Sequence, residues 1–390
     1  MSGMCVPNNC TGCSACAAVC PKHALSMLRT EFGFYRPALD TEKCIDCGLC
    51  GKVCPILSKQ IEAEKILNMY MAKNLNTAQR EKSSSGGIFP LFAQYVLSEN
   101  GVVYAAESMN AVYVRHTRME QVEALSKAQG SRYIQSDLSG AFSAVKNDLR
   151  DGRLVLFVGT PCQVYGLKSF LGDNPNKMLY TVDLVCHGVM SSNIPYEYLK
   201  NIGYVPEESE LRWTDKKTGW HQRSLVVSDH EQDTSNVLHS EIYNISVMGK
   251  LYQNNVCLNE CCYDCEYKTI HSAADITLGD YWGIEKINPD FDDNKGVSLV
   301  AIHSERGDSL LNKIKNQISF QETSFPEASS GQYALTMPSE KKDDNARAYE
   351  VLKTQGIMEL YRLTCHKTII QKIKGKVKKI VNRLHLAEGQ

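Results

Sequence analysis

Eight cysteines near the amino terminus fall into two copies of one pattern, C-x2-C-x2-C-x3-C-P. The first copy is Cys10, Cys13, Cys16, Cys20 and Pro21; the second is Cys44, Cys47, Cys50, Cys54 and Pro55. The spacing has a local physical reason. Three thiolates on a tight turn wrap three corners of an iron–sulfur cubane. The fourth starts the following helix and points away, toward the other cluster. The pattern therefore assigns Cys10, Cys13, Cys16 and Cys54 to one 4Fe-4S cluster and Cys44, Cys47, Cys50 and Cys20 to a second. Each proline steers the chain off its cluster and removes a backbone donor. Zinc gives no reason for a third cysteine two residues on. A disulfide framework suits a small secreted chain instead.

The chain has 390 residues, 16 of them cysteine, and is 43% hydrophobic. That is enough for two or three domains and a sizeable core. The formal net charge is -1, so no global field draws it to nucleic acid, and no nucleic-acid partner is expected. No apolar run approaches the ~20 residues of a spanning helix. Residues 1–9 lack the apolar centre of a signal peptide. The expectation is a cytoplasmic protein whose cysteines are metal ligands.

Residues 1–57 read as a ferredoxin-like α+β unit, with a short hairpin between the two cysteine runs. Cys5, just ahead of the first run, reads as a spare thiol. Residues 58–66 are polar and read as a linker. Residues 67–325 read as an α/β domain with a mostly parallel sheet, in two parts of about 67–150 and 151–325. Alternating strands and helices carry that expectation, as does the wholly apolar run 154–159, typical of a strand buried on both faces. Residues 206–243 are more polar and read as an inserted β-rich segment.

Ser84, Ser85, Gly86 and Gly87 precede an apolar-faced helix with Pro90 in its first turn. Small residues there leave backbone N–H groups approachable by a phosphate; a plain serine cap on a flexible loop fits equally. Thr160, Pro161, Cys162 and Gln163 follow one apolar strand, and Cys186, His187 and Gly188 follow another. Ligands of such sheets bind beyond the carboxyl ends of the strands. A further cysteine group is Cys257, Cys261, Cys262 and Cys265, which on spacing alone holds either iron or zinc. Residues 326–390 form an extension. Within it, residues 366–386 read as a basic amphipathic helix, with Ile369, Ile373, Val377 and Ile380 on one face and Lys372, Lys376 and Lys379 between them. Such a helix lies on an anionic membrane surface, docks on a partner, or packs on its own domain.

Four segments occur in order: Ser84-Ser85-Gly86-Gly87-Ile88, Gly159-Thr160-Pro161-Cys162-Gln163, Asp183-Leu184-Val185-Cys186-His187-Gly188, and Ala274-Asp275-Ile276-Thr277-Leu278-Gly279-Asp280-Tyr281-Trp282-Gly283. Together they resemble the coenzyme F-420 hydrogenase/dehydrogenase beta-subunit family, with a two-cluster ferredoxin domain in front. The resemblance covers about residues 66–320, and the chain resembles members found with bacterial polysaccharide-biosynthesis genes.

It implies an iron–sulfur flavoprotein oxidoreductase that binds FAD. Electrons would pass between the clusters and a small organic substrate, which is the deazaflavin F-420 or another molecule. Ser84, Ser85, Gly86 and Gly87 become candidates for the FAD diphosphate, and Thr160, Pro161 and Gln163 for the flavin ring. His187 and Cys162 are the candidate catalytic residues; His187 is equally readable as structural. The resemblance also implies a third 4Fe-4S cluster. Cys262 and Cys265 match the family's C-x2-C, with Cys257 as a third ligand and Cys261 as ligand or bystander. The fourth would be Cys162 or Cys186. The partners implied are ferredoxin or another redox protein. The alternative function is an electron-transfer subunit without a substrate of its own, serving a partner enzyme.

Overall fold

The structure, a computed structural model, describes residues 6–58, 61–172, 177–229, 236–342 and 347–365. Cys5 and the basic stretch 366–386 lie outside the described residues.

A nine-stranded mixed sheet organises the molecule. Its order is Ile318–Glu322, Asn68–Asn74, Ser298–Ile302, Ile276–Asp280, Leu179–Leu184, Val155–Gly159, Val102–Asn110, Tyr113–Met119 and Ser136–Asp137. The four strands from Ile276–Asp280 to Val102–Asn110 pair in parallel. Antiparallel strands extend both sides of this centre. Val155–Gly159 is buried at every residue, the burial that a wholly apolar central strand requires. Residues on both sides of position 150 share this one sheet.

Two apolar layers cover its faces. Helices Phe89–Ser98 and Glu305–Ile314 pack on one side around Phe92, Leu156, Val182 and Leu310. Helices Ala141–Arg150 and Pro161–Leu171 pack on the other, around Phe142, Phe157 and Leu167. Pro161–Leu171 starts with proline at its first position and stops at Gly172, whose φ of 80° suits a residue without Cβ.

The polar segment forms a three-stranded antiparallel sheet, Ser209–Asp215, Ser224–Asp229 and Val237–Ile242. It joins a core of short helices that includes Ala348–Gln355 and Ile357–Thr364. Cys365 is half-buried at the end of the latter. No helix among the described residues is long and apolar enough to cross a membrane.

The amino-terminal unit carries the expected hairpin, Leu25–Arg29 with Tyr35–Leu39. It docks on the sheet domain through specific polar contacts. Gln135 accepts from Tyr35 N (2.7 Å) and donates to Thr11 O (2.9 Å). Ser192 donates to Gly33 O, Asn193 to Glu31 O and Arg36 to Asn259 Oδ1. Ala15 is fully buried among the residues around Phe142 and Leu167. Burial there removes apolar surface from water on both units at once.

Candidate functional site

The two cysteine runs share one backbone path. Gly12 and Ser14 flank Cys13 with φ near 70°, and Asp46 and Gly48 flank Cys47 with φ of 58° and 69°. Left-handed residues on both sides of the second cysteine turn the chain sharply enough to aim three thiols at one point.

Cys54 joins the first run. Burial pushes the Cys10, Cys13 and Cys16 thiols up, Cys13 to about 11, and the neighbouring charge of Cys54 adds to each shift. Burial and the charges of Cys47 and Cys44 raise Cys50. Crowded thiols that resist deprotonation together are a poor arrangement for free cysteine. Bound iron relieves the crowding, because a metal deprotonates a coordinating thiol outright. The donor chemistry fits 4Fe-4S clusters. Cys16 is buried, whereas Cys47 is exposed.

A second convergence of thiols lies where strands of the sheet end. Cys162 is in the first turn of Pro161–Leu171, directly after Val155–Gly159. Cys186 lies just past Leu179–Leu184. Cys262 and Cys265 come from the turn at Glu260–Cys262 and the loop behind it. Burial raises Cys162, and the charges of Cys265, Cys186 and Cys262 act on it. Cys186 is pushed up to about 12 by burial, with Cys262 and Cys265 contributing. Cys261 hydrogen-bonds to Cys262, which raises Cys261 and lowers Cys262. Cys257 is buried in the helical core, and burial alone raises it. The structure thus gathers Cys162, Cys186, Cys261, Cys262 and Cys265, and leaves Cys257 outside the group. Fold, not spacing, brings the first two in.

Among the residues expected at a flavin, Gln163 is committed internally. Its Oε1 accepts from Thr160 N (2.9 Å), and its Nε2 donates to Ser136 Oγ (2.9 Å). Thr160 Oγ1 lies 3.2 Å from Cys162 Sγ. The 84–87 loop is strapped to strand ends: Ser85 donates to Val297 O, and Gly86 N donates to Ser298 Oγ. A Cβ on Gly86 would stand 2.4 Å from Ala72 O, so only glycine fits. Ser84 alone reaches across, accepting from Ser131 Oγ (2.9 Å).

Lys216, a residue without a motif, locks this loop. Its Nζ donates to the carbonyls of Arg80, Ser85 and Lys295 at 2.6–2.8 Å. Burial, helped by Arg80, presses it down to about 7, but three carbonyl acceptors match the three donors of an ammonium.

Aromatic residues gather nearby. Tyr133 stacks on Tyr252 with centroids 4.3 Å apart. Arg223 lies 4.5 Å from the Trp282 ring centroid, and Trp282 stacks on Trp220 at 4.7 Å. Among the described residues the buried Tyr243 hydroxyl has no hydrogen-bond partner, and an unmade bond there is costly. Planar faces, a guanidinium and an orphaned hydroxyl suit a flat heteroaromatic ring. Tyr133, Arg223 and Tyr243 carry no common sequence signal, because no spacing links them.

His187 is half-buried beside the Tyr252 ring, and its Nδ1 lies 2.7 Å from Tyr333 Oη. Its carbonyl accepts from Lys268 and Ser339. Burial, then the Lys268 charge, lowers it to about 4, so the ring is neutral near pH 7. A water-sized cavity of about 20 Å³ lies beside Cys186, lined by Pro161, Asp183, Lys268 and His303.

Residues 152–327 match the family described as the C terminus of the coenzyme F420 hydrogenase/dehydrogenase beta subunit, and residues 9–56 match a 4Fe-4S dicluster domain. The chain is 26% identical over 316 residues to a coenzyme F420-dependent sulfite reductase of Methanocaldococcus jannaschii, covering 78% of this chain and 46% of that relative. The chain therefore spans about half the length of the curated relative it matches. Among solved structures, it is similar to a chain of the F420-reducing [NiFe] hydrogenase complex from Methanosarcina barkeri. The TM-score is 0.47 at 18% identity, over 76% of this chain and 91% of that one.

Proposed function

We propose that this chain, a 4Fe-4S dicluster domain joined to a domain of the coenzyme F420 hydrogenase/dehydrogenase beta-subunit family, is an iron–sulfur flavoprotein oxidoreductase acting on a small organic molecule. The observation that carries this reading is the gathering of Cys162, Cys186, Cys262 and Cys265 beside the dicluster unit, at the strand ends where such sheets bind ligands.

In this reading Cys10, Cys13, Cys16 and Cys54 hold one 4Fe-4S cluster, and Cys20, Cys44, Cys47 and Cys50 hold a second. Cys162, Cys186, Cys262 and Cys265 hold a third. Tyr133, Arg223, Tyr243 and Trp282 would hold the FAD ring, and Ser84 with the start of Phe89–Ser98 would hold its phosphates. Clusters carry single electrons, and a flavin exchanges them for the pair that leaves as hydride. The protein's part is to fix spacing, exclude water and set charge. Lys216 holds the 84–87 loop closed, and Arg223 presents a fixed positive charge over an aromatic face. His187, neutral and tied to Tyr333, orients the loop after Leu179–Leu184. The substrate is the deazaflavin F-420 or a related acceptor, and the electron partner is ferredoxin or another redox protein.

One observation favours a second reading, an electron-transfer subunit that serves a partner enzyme. Cys47 is exposed, and Ile45, two residues before it, is 57% exposed. Turnover separates the two. Protein purified without oxygen and loaded with FAD, given reduced ferredoxin or reduced F-420, should bleach its flavin and regain colour with an organic acceptor. Bleaching only when a partner protein is added would leave the adaptor reading.

A further inference from the structure

Helix Pro161–Leu171 touches both metal-ligand groups with one face. Cys162 is in its first turn, and Gly166 follows four residues later, just over one helical turn or about 6 Å along the axis. Gly166 is bare against the dicluster unit: a Cβ there would lie 2.7 Å from Cys13 Cβ and 2.8 Å from Cys13 Sγ. Three residues on, Ser169 donates a 2.8 Å hydrogen bond to the carbonyl of Val53, beside Cys54. Positions 162, 166 and 169 share a face. Tyr165 and Tyr267, with centroids 4.6 Å apart, lie alongside.

Glycine in a helix interior is less favourable than alanine, so its presence needs a reason, and close approach of another backbone or ligand is one. A new methyl there meets Cys13 Cβ first, which side-chain rotation does not move, so the Cys13 turn and the helix must part slightly. A Cys13 bonded to iron would carry that shift to its cluster, because its sulfur would be fixed at both ends.

We infer that Gly166 is a positioning residue: it lets Cys13 seat one helical turn from Cys162, which makes the cluster of Cys10, Cys13, Cys16 and Cys54 the inner relay and the cluster on the exposed Cys47 the outer one. Clusters held by the Cys13 and Cys162 sets would stand close enough along one helix face to exchange single electrons, with no bond made or broken. The inference rests on the three-cluster reading above.

The test compares Gly166→Ala and Gly166→Leu with Ser169→Ala and wild type, purified without oxygen. Iron content, cluster midpoint potentials and the electron paramagnetic resonance of the reduced protein are read on each. Gly166→Ala should keep its iron but change the magnetic interaction between reduced clusters and the potential of one cluster. Gly166→Leu should lose about a third of its iron, all from the Cys13 cluster, with the outer signal intact. Ser169→Ala should keep iron and spectrum near wild type. Unchanged spectra and potentials in Gly166→Ala with full iron would overturn the role of Gly166, as would iron loss from the outer cluster in Gly166→Leu. Should Gly166→Leu not fold, Gly166→Ala decides. Wild-type protein with only about eight irons would instead remove the three-cluster reading itself.

Discussion

Ser169 Oγ donates a 2.8 Å hydrogen bond to the backbone carbonyl of Val53. The helix that starts at one cysteine group is thereby tied to the residue before the last cysteine of another. Several expected outcomes rest on ties of this kind.

Removing a gathered thiol should remove a cluster. Cys162→Ser and Cys186→Ser should each lower iron from about twelve per chain to about eight, while Cys257→Ser leaves it unchanged. Iron and acid-labile sulfide assays on anaerobic protein read this. Full iron in both Cys162→Ser and Cys186→Ser would refute the ligand set.

Gln135 bridges Tyr35 N and Thr11 O in a buried setting. Gln135→Ala leaves both groups without partners, which should cost about 2–4 kcal/mol. Denaturant unfolding should show the loss, and limited proteolysis should cut between the dicluster unit and the sheet domain sooner. An unchanged midpoint would mean that the bridge does not hold the units together.

Lys216→Met strands the carbonyls of Arg80, Ser85 and Lys295. The 84–87 loop should loosen and flavin retention should fall several-fold, with iron unaltered. The ratio of released flavin to iron measures it; a wild-type ratio would remove the loop from the flavin site.

His116 is buried, 3.0 Å from Val158 O and 2.9 Å from Ser136 Oγ. The carbonyl requires a proton on Nε2, so Ser136 donates to Nδ1. Burial lowers its pKa to about 4 from an ordinary 6.5. The unfolded chain then takes the proton first, so stability is full above about pH 6.5 and is lost as pH falls toward 4, by up to about 3 kcal/mol. The advantage of wild type over His116→Gln should shrink between pH 7 and pH 5. An advantage constant with pH would contradict it.

Much of this was legible in the sequence, for reasons that differ by region. The cysteine runs fix a local turn, so spacing alone made the dicluster unit at residues 9–56 readable. The strand Val155–Gly159 was readable because it is apolar on both faces. Cys257 looked like a ligand because it stands near Cys261 and Cys262 in sequence. The fold buries it in the helical core and brings in Cys162 and Cys186 from separate strand ends. Gln163 carries a motif, yet serves the helix start and Ser136. Lys216 and Arg223 act through tertiary contacts that leave no periodic trace.

The central claim is that three iron–sulfur clusters and one flavin lie in this chain. Iron, acid-labile sulfide and released flavin, counted per chain on protein purified and reconstituted without oxygen, test it most directly. The account predicts about twelve irons and one FAD. About eight irons with no flavin, after reconstitution with both, would contradict it.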